Sequence, residues 1–269
     1  MALKGSGRGA PTPLTALPAA IEFLTPVRAH PGGPLPDAAI GSSSAYFPLV
    51  GLLLGLALLG LDRLLSPILP GPVASALLVA FLAGSTGLLH LDGLADTVDG
   101  LLGGHTRESR LAIMRDSHIG AFGATALIIL LLLQWTAIAA LVPPWRGAGL
   151  VLFPVLGRTA MVAAIAAFPY ARAEGLGVLF RDHVLPWAAP VAALLSLTLS
   201  VVCFGRSGVA LWGAALLTAA VLGLILSPRL GGLTGDSYGA VCEVTQVLIL
   251  VLILTGHQTG WLGLGVLRR

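Results

Sequence analysis

Hydrophobic positions in this chain fall in long, nearly unbroken stretches separated by short polar segments. Seven stretches approach the roughly 20 residues that a helix needs to cross a bilayer. They lie at 45–62, 72–90, 120–142, 149–169, 186–204, 208–227 and 241–263. This pattern predicts an all-α, polytopic integral membrane bundle of about seven transmembrane helices. Upstream, Leu14, Leu17, Ile21 and Leu24 recur at helical spacing over a segment too short to span. They predict an amphipathic helix lying on the membrane or packed on the bundle. The segment lacks the continuous apolar core of a cleavable signal peptide. Residues 1–13, small, polar and basic, read as disordered, and Pro26 to Gly41 as a Pro/Gly-rich loop. Residues 14–269 form a single membrane-embedded domain, with no repeat of the kind that builds a transporter's inverted halves.

Composition sharpens the class. Hydrophobic residues make up 56% of the 269 and charged residues 10%, against roughly a quarter charged in soluble domains. Mean hydropathy is +0.94. Cys203 and Cys242 fall in apolar runs without metal spacing and read as small hydrophobes. The basic balance comes from loop arginines and suits a lipid surface; no basic helix or aromatic-basic interleaving points to nucleic acid. With the N-terminus in the cytoplasm, nine Lys and Arg residues fall on that side and five on the other, as positive-inside orientation prefers. The same topology gathers the polar segments 91–118, 170–185 and 228–240 on the cytoplasmic face of a cell (inner) membrane.

The first of these segments carries the densest chemistry. Five of the 12 carboxylates lie within 88–123, and Asp92, Asp96 and Asp99 are spaced i, i+4, i+7. On a helix they share a face, where like charges repel. A hard cation offsets them, and Mg²⁺ typically takes one or two carboxylates together with substrate phosphate. Gly93 and Gly100 leave backbone uncovered beside the acids. Arg107, Arg110 and Arg115 follow within a loop length, and guanidinium forks suit phosphate oxygens.

Other segments complete the constellation. Arg172 and Glu174 lie in 170–177, where they either pair at the surface or serve the site. Thr234, Gly235 and Asp236 lead into the last span, where Asp236, Glu243 and Gln246 share a helix face and Asp236 or Ser237 suits a cap. Glu243, inside a span, and Arg158, the one basic residue well inside an apolar run, are functional candidates by their cost in lipid. His90 precedes the acidic face and His118 lies in the Arg-Asp-Ser-His run with Arg115, Asp116 and Ser117.

Four motifs now stand together: His-Leu-Asp-Gly-Leu-Ala-Asp-Thr-Val-Asp-Gly (90–100), Arg-Asp-Ser-His-Ile-Gly-Ala-Phe-Gly (115–123), Ala-Arg-Ala-Glu-Gly-Leu-Gly (171–177) and Thr-Gly-Asp-Ser-Tyr-Gly-Ala-Val-Cys-Glu-Val-Thr-Gln (234–246). In order and spacing they resemble the cobalamin synthase family, the adenosylcobinamide-GDP ribazoletransferases. His118 stands where that pattern leads to Arg, and Glu22–Ala29 matches the family's opening motif loosely. The resemblance implies a Mg²⁺-dependent transferase joining adenosylcobinamide-GDP and α-ribazole, or its 5′-phosphate, to give adenosylcobalamin, or its phosphate, and GMP. It implies catalytic roles for Asp92, Asp96, Asp99, Asp236, Glu243 and Arg158, the first three on metal. It also implies substrate contacts from His90, Arg115, Asp116, Ser117, His118, Arg172, Thr234 and Gly235. Two other readings compete. A CDP-alcohol-type membrane phosphotransferase would carry Arg where Asp96 stands. An ion-coupled transporter would hold its acids at mid-membrane on broken helices, whereas these gather at span ends. Homo-oligomerisation is left open.

Overall fold

The structure, a computed structural model, describes residues 13–30, 35–183 and 185–265. In chain order its helices are α1 (Pro13–Leu24), α2 (Asp37–Ser42), α3 (Phe47–Leu65), α4 (Gly71–Ser85), α5 (Leu89–Gly103), α6 (Arg107–Ile113), α7 (Ala121–Ala140), α8 (Trp145–Ala167), α9 (Leu176–His183), α10 (Ala188–Phe204), α11 (Arg206–Leu230) and α12 (Gly235–Thr259). Among the described residues there is no strand, only an isolated Tyr170–Leu233 bridge. The protein is all-α, as its hydrophobic pattern predicts.

Each expected span has a helix, with two departures. Five helical stretches are long and apolar enough to cross a membrane: Asp37–Leu65, α7, α8, α11 and α12. The stretch at 186–204 becomes α10, whose 17 residues rise about 25 Å, short of the roughly 30 Å bilayer core. The stretch at 72–90 is not one straight helix. It breaks after Ser85 and turns by 86° into α5. The cause is local: Thr86 Oγ1 bonds the Leu82 and Ala83 carbonyls, then Gly87 and Leu88 take left-handed φ values of 57° and 62°. A leucine there costs about 1–3 kcal/mol and usually marks a functional segment.

The N-terminal region also differs in part. The disorder expected for 1–13 lies outside the described residues, apart from Pro13, which opens α1. The 26–41 loop gives way at Asp37, where α2 begins and continues through a 3₁₀ turn at Ser43–Tyr46 into α3. Helix α1 packs on the bundle through Ala16, Ala19, Ala20 and Leu24, all buried, and Phe23 stacks on Phe47 with Phe180 edge-on.

Helices α8 and α12 form the centre; 78% of the α8 core stretch is buried against 28% for α7. Small residues let the central helices touch, as membrane interfaces require. A Cβ on Gly51 of α3 would lie 2.6 Å from the Pro154 carbonyl oxygen of α8, and one on Gly157 of α8 would lie 2.7 Å from Gln246 Cγ of α12. The outer faces of α7 (Ile128, Ile129, Leu132, Leu133) and α11 (Leu217, Val221, Leu224) are exposed and apolar, as lipid contact demands.

The three polar segments meet at one end of the bundle. Arg107 donates to the Leu230 and Ala171 carbonyls at 2.9 and 3.0 Å, and Ala171 N–H donates to Leu233 O at 2.8 Å. At the opposite end Arg146 pairs with Asp62 at 2.8 Å and donates to Ser75, joining α8, α3 and α4.

Candidate active site

The bend at Gly87–Leu88 aims α5 across the N-terminal half of α12. Two glycines make the crossing close. A Cβ on Gly93 would sit 2.8 Å from the Asp236 carbonyl oxygen, and one on Gly239 would sit 3.1 Å from His90 Cα. The acids of α5 are thereby laid beside the start of α12.

Asp92 and Asp96 project from α5 into a cleft of about 520 Å³. Its other walls are Leu88, Leu91 and Ala95 of the same bend and helix, the segment Met114–Ile119, and Leu127 and Leu131 of α7. Of the residues expected in the site, the structure thus brings Asp92, Asp96, Arg115, Asp116, Ser117 and His118 to one concave surface. Asp92 is exposed and Asp96 half-buried. Two hard carboxylates one turn apart in an open cleft are a donor set that fits Mg²⁺, leaving its other positions to water and phosphate.

Asp99 does something spacing alone does not reveal. It is buried, and its oxygens accept the Gly120 N–H at 2.8 Å and the Gly123 N–H at 2.9 Å. Those are orphan donors at the start of α7, where a negative charge also meets the helix dipole. Gly120 and Gly123 have no Cβ because the Asp99 carboxylate occupies that space. Asp99 therefore fixes the end of the 115–120 segment that walls the cleft.

Behind the cleft, Arg172 donates to Asp236 Oδ2 at 2.7 Å and to Met114 O at 3.3 Å. This settles its partner as Asp236, not Glu174. The cap of α12 is Thr234, which accepts from Ser237 N–H, where Asp236 or Ser237 was expected. The Ala171–Leu233 hydrogen bond brings the two loops into register for that pair.

Deeper still lies a second group. Arg158 is fully buried and donates to Gln246 Oε1 at 3.1 Å; Gln246 Nε2 donates to Glu243 Oε1 at 2.9 Å. The amide bridges cation and carboxylate, which makes each tolerable in the span. His90 is 1% exposed, and neither ring nitrogen has a protein partner. His90, Cys242 and Glu243 place ligand atoms within 4.8 Å of one another, so Cys242 is part of a polar group and not merely filler. The Arg158 guanidinium already balances Glu243 there. His90, Asp99, Arg158, Arg172, Thr234, Gly235, Asp236 and Glu243 do not line the cleft itself.

Of the arginines expected near phosphate, Arg115 lines the cleft, while Arg107 and Arg110 spend their guanidinium groups on backbone carbonyls. On the rim, His118 Nδ1 lies 2.6 Å from Asp116 Oδ1. That bond raises the His118 pKa and holds the Asp116 carboxyl below its ordinary range. The apolar wall from Leu88, Leu127 and Leu131 was invisible in the sequence, where these residues are indistinguishable from lipid-facing leucines.

Comparison with known proteins places this geometry in context. The family model described as cobalamin-5-phosphate synthase matches residues 16–254. A protein of Ectopseudomonas mendocina named adenosylcobinamide-GDP ribazoletransferase is 41% identical over 87% of this chain and 96% of its own. Proteins of the same name from Geotalea daltonii and Roseiflexus are 40% and 37% identical, covering 80% and 90% of this chain and 87% and 90% of theirs. No solved structure matches.

Proposed function

The chain belongs to the cobalamin-5-phosphate synthase family, and from that premise we propose that it is an adenosylcobinamide-GDP ribazoletransferase with its active site in the α5 cleft. The observation that carries the reading is the meeting of Asp92, Asp96 and Arg115 in one cleft at the polar end of a membrane bundle. Neither a CDP-alcohol phosphotransferase nor a transporter is favoured by the relatives or by acids gathered at one end.

The reaction forms a bond from a ribazole hydroxyl oxygen to the cobinamide-proximal phosphorus and breaks the bond to the bridging oxygen, releasing GMP. Phosphoryl-type transfer asks for alignment and charge neutralisation more than covalent chemistry. Asp92 and Asp96 are the residues that would hold Mg²⁺, which supplies Lewis-acid neutralisation of the diphosphate. Arg115, on the facing wall, takes up charge on the departing GMP. Asp236, held by Arg172 behind the cleft and set beside α5 by the Gly93 contact, aligns the α5 carboxylates, and the hydroxyl proton leaves to solvent water in the open cleft. Asp99 holds the Arg115 segment in place. Arg158, Gln246 and Glu243 keep α8 and α12 in register behind it.

The enzyme works at the cytoplasmic face of the cell membrane, where nucleotide-linked substrates are found; the excess of positive charge at the polar end supports that orientation. The test is direct. Purified protein in liposomes, given adenosylcobinamide-GDP, α-ribazole and Mg²⁺, releases GMP and forms the joined corrinoid in equal amounts. Folded protein that yields neither product contradicts the assignment.

A further inference from the structure

One buried group takes no part in the proposed transfer. His90 of α5 is 1% exposed, and neither Nδ1 nor Nε2 has a protein partner. A buried imidazole in that state is costly, because polar atoms out of water need a bond. Its neighbours on α12 are specific. A Cβ on Gly239 would sit 3.1 Å from His90 Cα, and Cys242 and Glu243 follow about one turn further along the same helix. The His90 ring, the Cys242 thiol and the Glu243 carboxylate therefore meet, with ligand atoms within 4.8 Å of one another and all three residues buried. Gln246 Nε2 donates to Glu243 Oε1 at 2.9 Å and lies 3.6 Å from Cys242 Sγ, while its Oε1 accepts from Arg158. A carboxylate has about four acceptor sites, so Glu243 keeps capacity to ligate.

We propose that His90, Cys242 and Glu243 bind a single zinc ion that ties α5 to α12, at a site separate from the Mg²⁺ site of the cleft. The donor set selects the metal. An imidazole nitrogen, a thiolate sulfur and a carboxylate oxygen suit zinc, with the fourth tetrahedral position left open. Mg²⁺ wants oxygen donors and is poorly served by sulfur. Zinc bonds of about 2.0 Å to nitrogen or oxygen and about 2.3 Å to sulfur put tetrahedral ligands roughly 3.3–3.5 Å apart. Modest side-chain rotations draw the three atoms in to that spacing. As the Zn–S bond forms, the Cys242 S–H bond breaks and its proton passes to water. The fourth position takes hydroxide or chloride. Thiolate and anion offset the two charges of the ion, so Arg158 goes on balancing Glu243. The same anion offers an acceptor to Arg158 Nε and Nη2, which have no protein partner. A water molecule could bond His90 as well, but it would leave the thiol, a weak donor and acceptor, without purpose. With one ligand from α5 and two from α12, zinc pins the crossing that lays Asp92 and Asp96 beside the start of α12.

The experiment uses the full-length protein in detergent, free of any affinity tag, produced in zinc-supplemented medium and passed into metal-free buffer that removes loosely held Mg²⁺. Elemental analysis is expected to find about one zinc per chain. The same content is expected in the double variant Asp92→Asn, Asp96→Asn, which disables the cleft carboxylates. His90→Gln and Cys242→Ser, each shown to be folded by a melting curve, are expected to hold little or none. A strong chelator lowers the wild-type melting temperature; zinc restores it and Mg²⁺ does not. Protein produced with Co²⁺ in place of zinc shows thiolate-to-metal absorption. The chain has two cysteines, Cys203 and Cys242, so Cys203→Ala keeps that absorption if Cys242 is the ligand. This control and the wild-type zinc content decide the matter even where the His90 and Cys242 variants fail to fold. Wild type that carries neither zinc nor the cobalt–thiolate absorption overturns the inference. So does zinc kept at the wild-type level by both folded variants, or zinc lost only when Asp92 and Asp96 are changed. None of these readouts depends on turnover, so failure of the proposed reaction is a separate result.

Discussion

Gly93 of α5 lies against the backbone of Asp236 of α12 so closely that an added Cβ would stand 2.8 Å from the Asp236 carbonyl oxygen. That contact is what places the acids of one helix beside the Arg172–Asp236 pair at the start of another. The neighbour is backbone, which cannot rotate aside as a side chain would.

Gly93→Ala therefore pushes α5 off α12. The expected outcome is a loss of turnover of at least tenfold, with a stability cost of about 1–3 kcal/mol as for other overpacked contacts. Steady-state kinetics and a detergent melting curve measure both. Unchanged kinetics would show that the crossing does not set the site's geometry.

Asp99 caps α7 from a distance. Asp99→Ala strands the Gly120 and Gly123 N–H groups, and hydrogen bonds to a charged group contribute about 1.5–3 kcal/mol each. Stability falls by several kcal/mol, and amide exchange at 115–123 rises above that of the bundle core. Protection that stays level across 115–123 would remove Asp99 from this role.

Arg172 and Asp236 have side-chain exposures of 14% and 22%, so screening is limited. A double-mutant cycle between Arg172→Gln and Asp236→Asn is expected to give a coupling of about 1–2 kcal/mol in stability. Each single change lowers kcat more than it raises KM, because both act on alignment. A coupling near zero would mean that the pair is incidental.

Sequence reading and structure agree where periodicity and charge decide, as in the helical acidic face of 92–99 and the convergence of Arg115, Asp116, Ser117 and His118 on it. They part where long-range geometry decides. The 72–90 stretch is apolar throughout, and its break depends on Thr86 and the left-handed Gly87–Leu88 pair, a signal that is weak in composition. Asp99 looks identical to Asp92 along the chain, yet α7 happens to begin within its reach. Arg107 and Arg110 read as phosphate ligands by type alone, whereas the carbonyls of Ala171, Leu230 and Gly104 take them first. Cys242 reads as filler until the α5–α12 crossing sets His90 next to it.

The rim pair sets a pH dependence whose sign is fixed. His118 has its pKa raised by Asp116, so the stabilisation of its charged form is present below the ordinary histidine range and is lost as pH rises through the raised value. Asp116 has its pKa lowered, so its share is present above the ordinary carboxylate range and is lost as pH falls through the lowered value. The pair is thus intact between the two. An NMR titration should place the His118 midpoint above that of a free histidine, and Asp116→Asn should return it to the ordinary range. A wild-type midpoint at or below the ordinary value would contradict the pairing.

The central claim is that Asp92 and Asp96 hold the metal on which transfer to ribazole depends, and Mg²⁺-dependent GMP release by wild type and Asp96→Asn tests it most directly. With adenosylcobinamide-GDP and α-ribazole supplied, wild-type release is expected to require Mg²⁺ and saturate with it. The variant should fold but turn over at least about 100-fold more slowly, the scale of a lost electrostatic partner in a transition state. Asp96→Asn with wild-type turnover and unchanged Mg²⁺ dependence would contradict the account and move the metal away from α5.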